Sequence, residues 1–186
     1  MKKNFDIEQI IQNGEIKSEL ELEKASIAER KLRTLAKEDK QLKHRRSQLR
    51  ELIVNYEAKH WADQDIITED QIIASDNAEL EAAAKFEFIM ARKKLIRSKL
   101  KRLGINQQEF GKILGHDNKS YMSELMNGIS PFTLKDLVII GRLLRIDLNK
   151  LVMTHINKQE KLRIEQKIKS LDNSNIRLDK ETFEIV

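Results

Sequence analysis

Apolar residues recur at steps of three and four over most of the chain, which is the period of an amphipathic α-helix. The longest such pattern covers residues 16–61, which contain neither glycine nor proline. It predicts one long helix with a heptad seam that only Asp39 and Arg46 interrupt. The seam consists of Ala25, Ala28, Leu32, Leu35, Leu42, Leu49, Ile53 and Tyr56. Such a seam serves either a coiled coil with a second helix or a helix folded against its own chain, and the pattern leaves both open.

The remainder of the chain predicts shorter elements. Residues 63–77 are acidic and indicate a connection with a short helical turn, and a strong helical pattern starts near Ala78. Residues 86–152 predict five short helices with tight turns, which is typical of a compact all-α bundle. Residues 155–171 predict one more helix, and residues 173–186 alternate like one or two short strands, or form a frayed tail.

The predicted fold class is therefore all-α, with a long N-terminal helix, a five-helix bundle and a short C-terminal extension that leaves room for a small β element. The predicted domains are residues 1–77 for dimerisation or partner binding, 78–152 for the bundle, and 153–186 for the C-terminal helix and tail.

The composition limits the cellular compartment that we expect for the protein and the kinds of covalent and metal site that it can form. The chain has no cysteine, which excludes disulfides and thiolate metal sites and fits a reducing cytoplasm. No apolar run approaches the roughly 18 residues of a membrane span, and the first residues lack the apolar centre of a signal peptide. We expect a cytoplasmic protein without a membrane partner.

Charge changes sign along the chain. Residues 24–50 hold ten basic residues against three acids, residues 55–85 hold eight acids against two lysines, and residues 86–152 hold 13 basic residues against 6 acids. This alternation of sign indicates three functional stretches, and the net charge of +5 permits a polyanionic partner.

Within residues 86–152, small and apolar residues fall where two crossed helices need them. A helix packed nearly perpendicular on its predecessor needs a small residue at the crossing, here Gly111, and a glycine where the chain reverses, here Gly115. The second helix needs apolar anchors on its inner face, here Met122 and Leu125. Capping boxes at 106–109 and 133–136 mark two helix starts, and Asn127-Gly128 marks a helix end.

These motifs resemble the XRE (Cro/C1-type) helix-turn-helix family. The run Gln107-x-x-x-Gly111-x-x-x-Gly115 is followed in order by Ser123-x-x-x-Asn127-Gly128 and a Thr-Leu capping box. Residues 119–134 are similar to the DNA-binding part of HigA-type antitoxins, and the resemblance covers residues 91–152. One residue more than in phage repressors separates Gly115 from Met122, which lengthens the turn and leaves the start of the recognition helix open by one position.

The resemblance implies a set of contacts with duplex DNA. N-terminal side chains of the recognition helix meet base edges in the major groove. The implied base contacts are Asn118, Lys119, Ser120, Tyr121 and Glu124. The implied phosphate contacts are Gln107, Asn127, Ser130 and Lys135. Such proteins bind as dimers, for which the seam at 25–56 and the helix at 133–144 are two candidate devices.

Enzymatic motifs are missing from the sequence. The histidines His44, His60, His116 and His155 are scattered without metal-ligand spacing, and no glycine-rich phosphate loop or nucleophile motif is present. We expect a protein that is not an enzyme and that needs no cofactor or metal.

Two functions remain open at this point. As a HigA-like antitoxin, the protein represses its own operon and neutralises a cognate toxin, usually an RNA-cleaving protein acting at the ribosome. The acidic residues 55–77 suit a basic toxin. As a free-standing regulator, it uses its extensions only to dimerise.

Overall fold

The computed structural model describes residues 7–36, 39–62, 67–171, 178, 179 and 183. Its helices are α1 (Ile7–Asn13), α2 (Glu19–Leu35), α3 (Lys40–His60), α4 (Glu69–Leu103), α5 (Gln107–Leu114), α6 (Lys119–Asn127), α7 (Leu134–Leu144) and α8 (Lys158–Ser170), with a 3₁₀ turn at Leu148–Lys150. No strand is formed within these ranges, so the predicted all-α class is confirmed. None of the described helices is long and apolar enough to cross a membrane.

The predicted long helix over residues 16–61 is wrong, because two helices form there. Asp39 caps α3: its carboxylate accepts hydrogen bonds from the backbone N–H groups of Gln41 and Leu42 at 2.9 and 3.2 Å. The seam residues do face inward, with Leu32 and Leu49 fully buried. They are covered because α2 and α3 pack on each other as a hairpin, so the seam is not free to pair with a second copy.

Helix α4 is the longest element, with 35 residues, and it takes part in two cores. It packs on α2, and the small residues Ala78 and Ala82 in its first half are buried. Ile89 belongs to the core formed with α1, α2 and α3, whereas Ile96 and Leu100 belong to the core formed with α5, α6 and α7. The domain boundary predicted between residues 77 and 78 therefore falls inside one continuous helix.

The second core is the bundle that the sequence predicts for residues 86–152. Phe110, Leu125 and Ile140 are among its fully buried side chains. The first predicted helix of this bundle is the C-terminal part of α4, and the last is the 3₁₀ turn. Residues 1–153 form one compact unit.

Residues 154–186 form a second unit. It contains α8, capped by Asn157, whose side chain accepts a hydrogen bond from the backbone N–H of Glu160 at 2.8 Å. Apart from residues 178, 179 and 183, the predicted strand region 173–186 lies outside the described residues.

Candidate nucleic-acid interface

Helices α5 and α6 form a helix-turn-helix. Asn106 and Glu109 make a reciprocal capping box at the start of α5. Gly115 ends α5 in the left-handed conformation, with φ of +84°, and the chain reverses over four residues before α6 begins at Lys119. The additional residue therefore lies in the turn before Asn118. Asn118 caps α6, because its side chain accepts hydrogen bonds from the backbone N–H groups of Ser120 and Tyr121.

Gly111 lies where α5 crosses α6. A Cβ atom built at this position would lie 2.8 Å from the backbone oxygen of His116 and 3.3 Å from Cγ of Met122. Met122 and Leu125 project from the inner face of α6 into the core. Gly111, Met122 and Leu125, together with Gly115, hold α6 in a fixed orientation on α5.

Three of the nine predicted DNA contacts are exposed to solvent, namely Asn118, Lys119 and Lys135. Gln107, Ser120 and Tyr121 are half-buried. The ring of Tyr121 lies edge-on against that of His116, with the ring centroids 5.3 Å apart. His116 in turn lies 3.1 Å from a carboxylate oxygen of Asp136, which connects the turn to the start of α7.

Glu124 has a different environment from the one that a base contact requires. Glu124 is only 4% exposed. One of its carboxylate oxygens accepts hydrogen bonds from Arg45 of α3 at 2.6 Å and from the Ser130 hydroxyl at 2.7 Å. Burial raises the pKa of Glu124, and the bonds from Ser130 and Arg45 oppose that shift. In this arrangement the carboxylate is not available to a cytosine amino group.

Asn127 and Ser130 are also buried, so neither reaches a phosphate in this arrangement. The side-chain oxygen of Asn127 accepts a hydrogen bond from Lys93 of α4 at 2.6 Å, and its nitrogen donates to the backbone oxygen of Ser123 at 2.7 Å. Ser130 is 1% exposed and donates to Glu124.

The start of α3 lies against the start of α6. The Ser120 hydroxyl donates a hydrogen bond to the Asp39 carboxylate. This bond, together with those from the backbone at the start of α3, lowers the pKa of Asp39. Arg45 continues the contact, since it binds Glu8 of α1 at 3.3 Å as well as Glu124.

We call the side of α6 that carries Ser120 and Glu124 its reading face. Asp39, the N-cap of α3, binds Ser120, and Arg45 of α3 binds Glu124, so the start of α3 covers this face. The sequence did not predict this cover. The partners are 81 and 79 residues apart in sequence, a separation that no local pattern reports. The one available signal was Asp39 itself, an interruption of the heptad seam and a residue type that favours helix starts.

No family model, no curated protein and no solved structure matches this chain. Within the part of the chain that the structure describes, no group of three or more histidine, aspartate or glutamate side chains is placed to hold a metal ion.

Proposed function

We propose that this protein binds duplex DNA sequence-specifically through α5 and α6 and acts as a transcriptional repressor. The observation that carries the proposal is the crossing of α5 and α6 at Gly111, with Met122 and Leu125 anchoring the second helix. This is the arrangement that presents a recognition helix to the major groove.

Electrostatics support the same proposal. Lys119 is exposed at the first turn of α6, where a side chain can reach guanine O6 and N7. Lys135 is exposed in the first turn of α7, suited to a phosphate. The C-terminal half of α4 adds further exposed cations, namely Lys94, Arg97, Lys101 and Arg102. Such a surface attracts a polyanion over a Debye length.

Lys119→Ala tests the base contact. Binding sites are first selected from a random duplex library with the full chain, and affinity is then measured for a selected and a scrambled duplex. We expect Lys119→Ala to weaken binding of the selected duplex by about 1–3 kcal/mol and the scrambled one far less. Lys135→Ala should weaken both similarly and reduce the salt slope by about 1.

The matched control is Lys150→Ala, which removes an exposed lysine from the 3₁₀ turn. It should change neither affinity appreciably. Equal losses on both duplexes for Lys119→Ala would contradict a reading role for α6.

A HigA-like antitoxin role is the more specific candidate, and one observation favours it. In α4, Ile72, Ile73 and Leu80 are exposed, Leu80 by 70%, within a stretch whose exposed charged residues are Glu69, Asp70, Asp76 and Glu79. An apolar stripe with an acidic rim suits a basic protein partner such as an RNA-cleaving toxin. The competing proposal, a free-standing regulator, gives this stripe no partner.

Co-expression separates these two proposals. The open reading frame beside this gene should be toxic alone and rescued by this protein, and Leu80→Asp should abolish the rescue. Leu171→Asp, which changes an exposed leucine of the other unit, is the control and should still rescue. A harmless neighbour would refute the antitoxin role and leave the repressor role.

Homodimerisation is also proposed, now through α7. Leu134 is 68% exposed and Val138 is half-exposed on this helix, whereas Leu137 and Ile140 fill the core. An apolar strip of this kind on the outer side of the bundle suits the same strip of a second copy.

A further inference from the structure

The reading face of α6 is covered by the protein's own N-terminal helices. The cover is made by the start of α3, which binds Ser120 through Asp39 and Glu124 through Arg45. Helix α1 supports it, because Glu8 holds the second guanidinium nitrogen of Arg45.

The loop after α6 is covered as well. Ile129 is 1% exposed and belongs to the core formed by α1, α2 and α3, rather than to the core of the bundle. At Gly128 the backbone runs directly against Ile89 of α4, whose Cδ1 atom would lie 2.7 Å from an added Cβ. The N-terminal helices therefore contact the first turn of α6 at Ser120, its middle at Glu124 and the loop that follows it at Ile129, whereas Lys119 stays exposed.

DNA and this cover cannot occupy α6 together. The major groove is about 12 Å wide, and one α-helix with its side chains is about 10–12 Å across. A recognition helix that enters the groove leaves no room for a second helix on its reading face.

We propose that α1, α2 and α3 form an intramolecular mask over the reading face of α6, which must be released before this face enters the major groove. The proposal rests on the DNA-binding function proposed above. If so, the apparent affinity for DNA equals the intrinsic affinity multiplied by the fraction of molecules in which the mask is open.

The contacts at the start of α3 suit a releasable mask. Arg45 is partly exposed, and Lys40 and Lys43 beside it are exposed and basic. Once α3 moves away from α6, Arg45 and Asp39 regain water. The exposed lysines of α3 also attract DNA to this end of the molecule. A duplex held there competes with the start of α3 for the reading face of α6.

A reversible cross-link tests the mask in the full chain. Because the protein has no cysteine, Asp39→Cys with Ser120→Cys introduces the only two thiols. A short bis-methanethiosulfonate linker closes the pair, and reducing agent reopens it. The probes are a duplex selected from a random library with the reduced form and a scrambled duplex of the same length.

The linked form should bind the selected duplex at least about tenfold more weakly than the reduced form, in keeping with typical couplings between sites. The Asp39→Cys variant alone, treated with the same reagent, is the control and should lose far less, because its adduct is not on α6. Equal binding by the linked and reduced forms overturns the mask while DNA binding stands. If no form selects any duplex, the proposed DNA-binding function fails, and the mask with it.

A charge-matched pair of variants tests the mask without a cross-link. Arg45→Gln removes the bond to Glu124 and should lower the Kd for the selected duplex by roughly 5- to 20-fold, although it removes a positive charge. Arg50→Gln removes an exposed charge from the same helix and should leave the Kd unchanged or raise it. If both variants weaken binding equally, Arg45 contributes only charge and the mask is refuted. Circular dichroism verifies that both variants are folded.

Discussion

Replacing Gly111 by alanine tests the contact that sets the geometry of the helix-turn-helix. The added Cβ would lie 2.8 Å from the backbone oxygen of His116, which cannot rotate away as a side chain can. Relieving such overpacking by a backbone shift costs about 1–3 kcal/mol. Alanine in place of glycine within a helix stabilises the folded state by about 1 kcal/mol through its higher helix propensity. We expect a net loss of up to about 2 kcal/mol in the free energy of unfolding.

Gly141→Ala is the matched control, since Gly141 also lies within a helix and its nearest neighbour is also a backbone oxygen, that of Ile146 at 3.2 Å. Here a shift of a few tenths of an ångström suffices, so the helix gain offsets the cost and stability stays near that of the wild type. Urea unfolding followed by circular dichroism compares both variants with the wild type. If Gly111→Ala is as stable as Gly141→Ala, the close contact at the helix crossing does not constrain the fold.

Two further predictions concern the N-terminal core. Leu49→Ala empties a fully buried position and should cost about 2–5 kcal/mol in thermal or urea unfolding, whereas Val54→Ala, on an exposed position of the same helix, should stay within about 0.5 kcal/mol. Burial and a hydrogen bond to Glu19 raise the pKa of Tyr56 to about 12, so absorbance at 295 nm should show it ionising there, and Glu19→Gln should lower that pKa. Because the pKa is raised on folding, the stability that Tyr56 contributes is complete below its unfolded pKa and is lost as the pH rises through 12. Ionisation of Tyr56 near its ordinary pKa would contradict the buried hydrogen bond.

Local chemistry accounts for the features that the sequence predicted well. The caps at Asn106 and Thr133 and the left-handed glycines Gly115 and Gly128 depend on residues within one turn of each other. Gly111 and Met122 follow from the requirements of two crossed helices. Such features are readable because the interacting groups are close in sequence.

The cover on α6 could not be read in the same way. The charge of Glu124 and the hydroxyl of Ser120 look like surface groups in a helical pattern, and only the fold brings Arg45 and Asp39 to them. The division of this stretch into α2 and α3 was equally hard to predict, since the apolar period continues from one helix to the other and no glycine or proline separates them. The period reports which side of each helix is buried, but it does not report how many helices share the pattern or what buries them.

Helix α4 makes the two cores one folding unit. It contains no glycine or proline over its 35 residues, so it offers no hinge, and it extends about 50 Å. Unfolding of the N-terminal core would expose the apolar side chains of the first half of α4 to water. Unfolding of the bundle would expose those of its second half. The two cores should therefore melt in a single cooperative transition. The consequence is practical as well: no cut within α4 would release either core as an independently folding fragment.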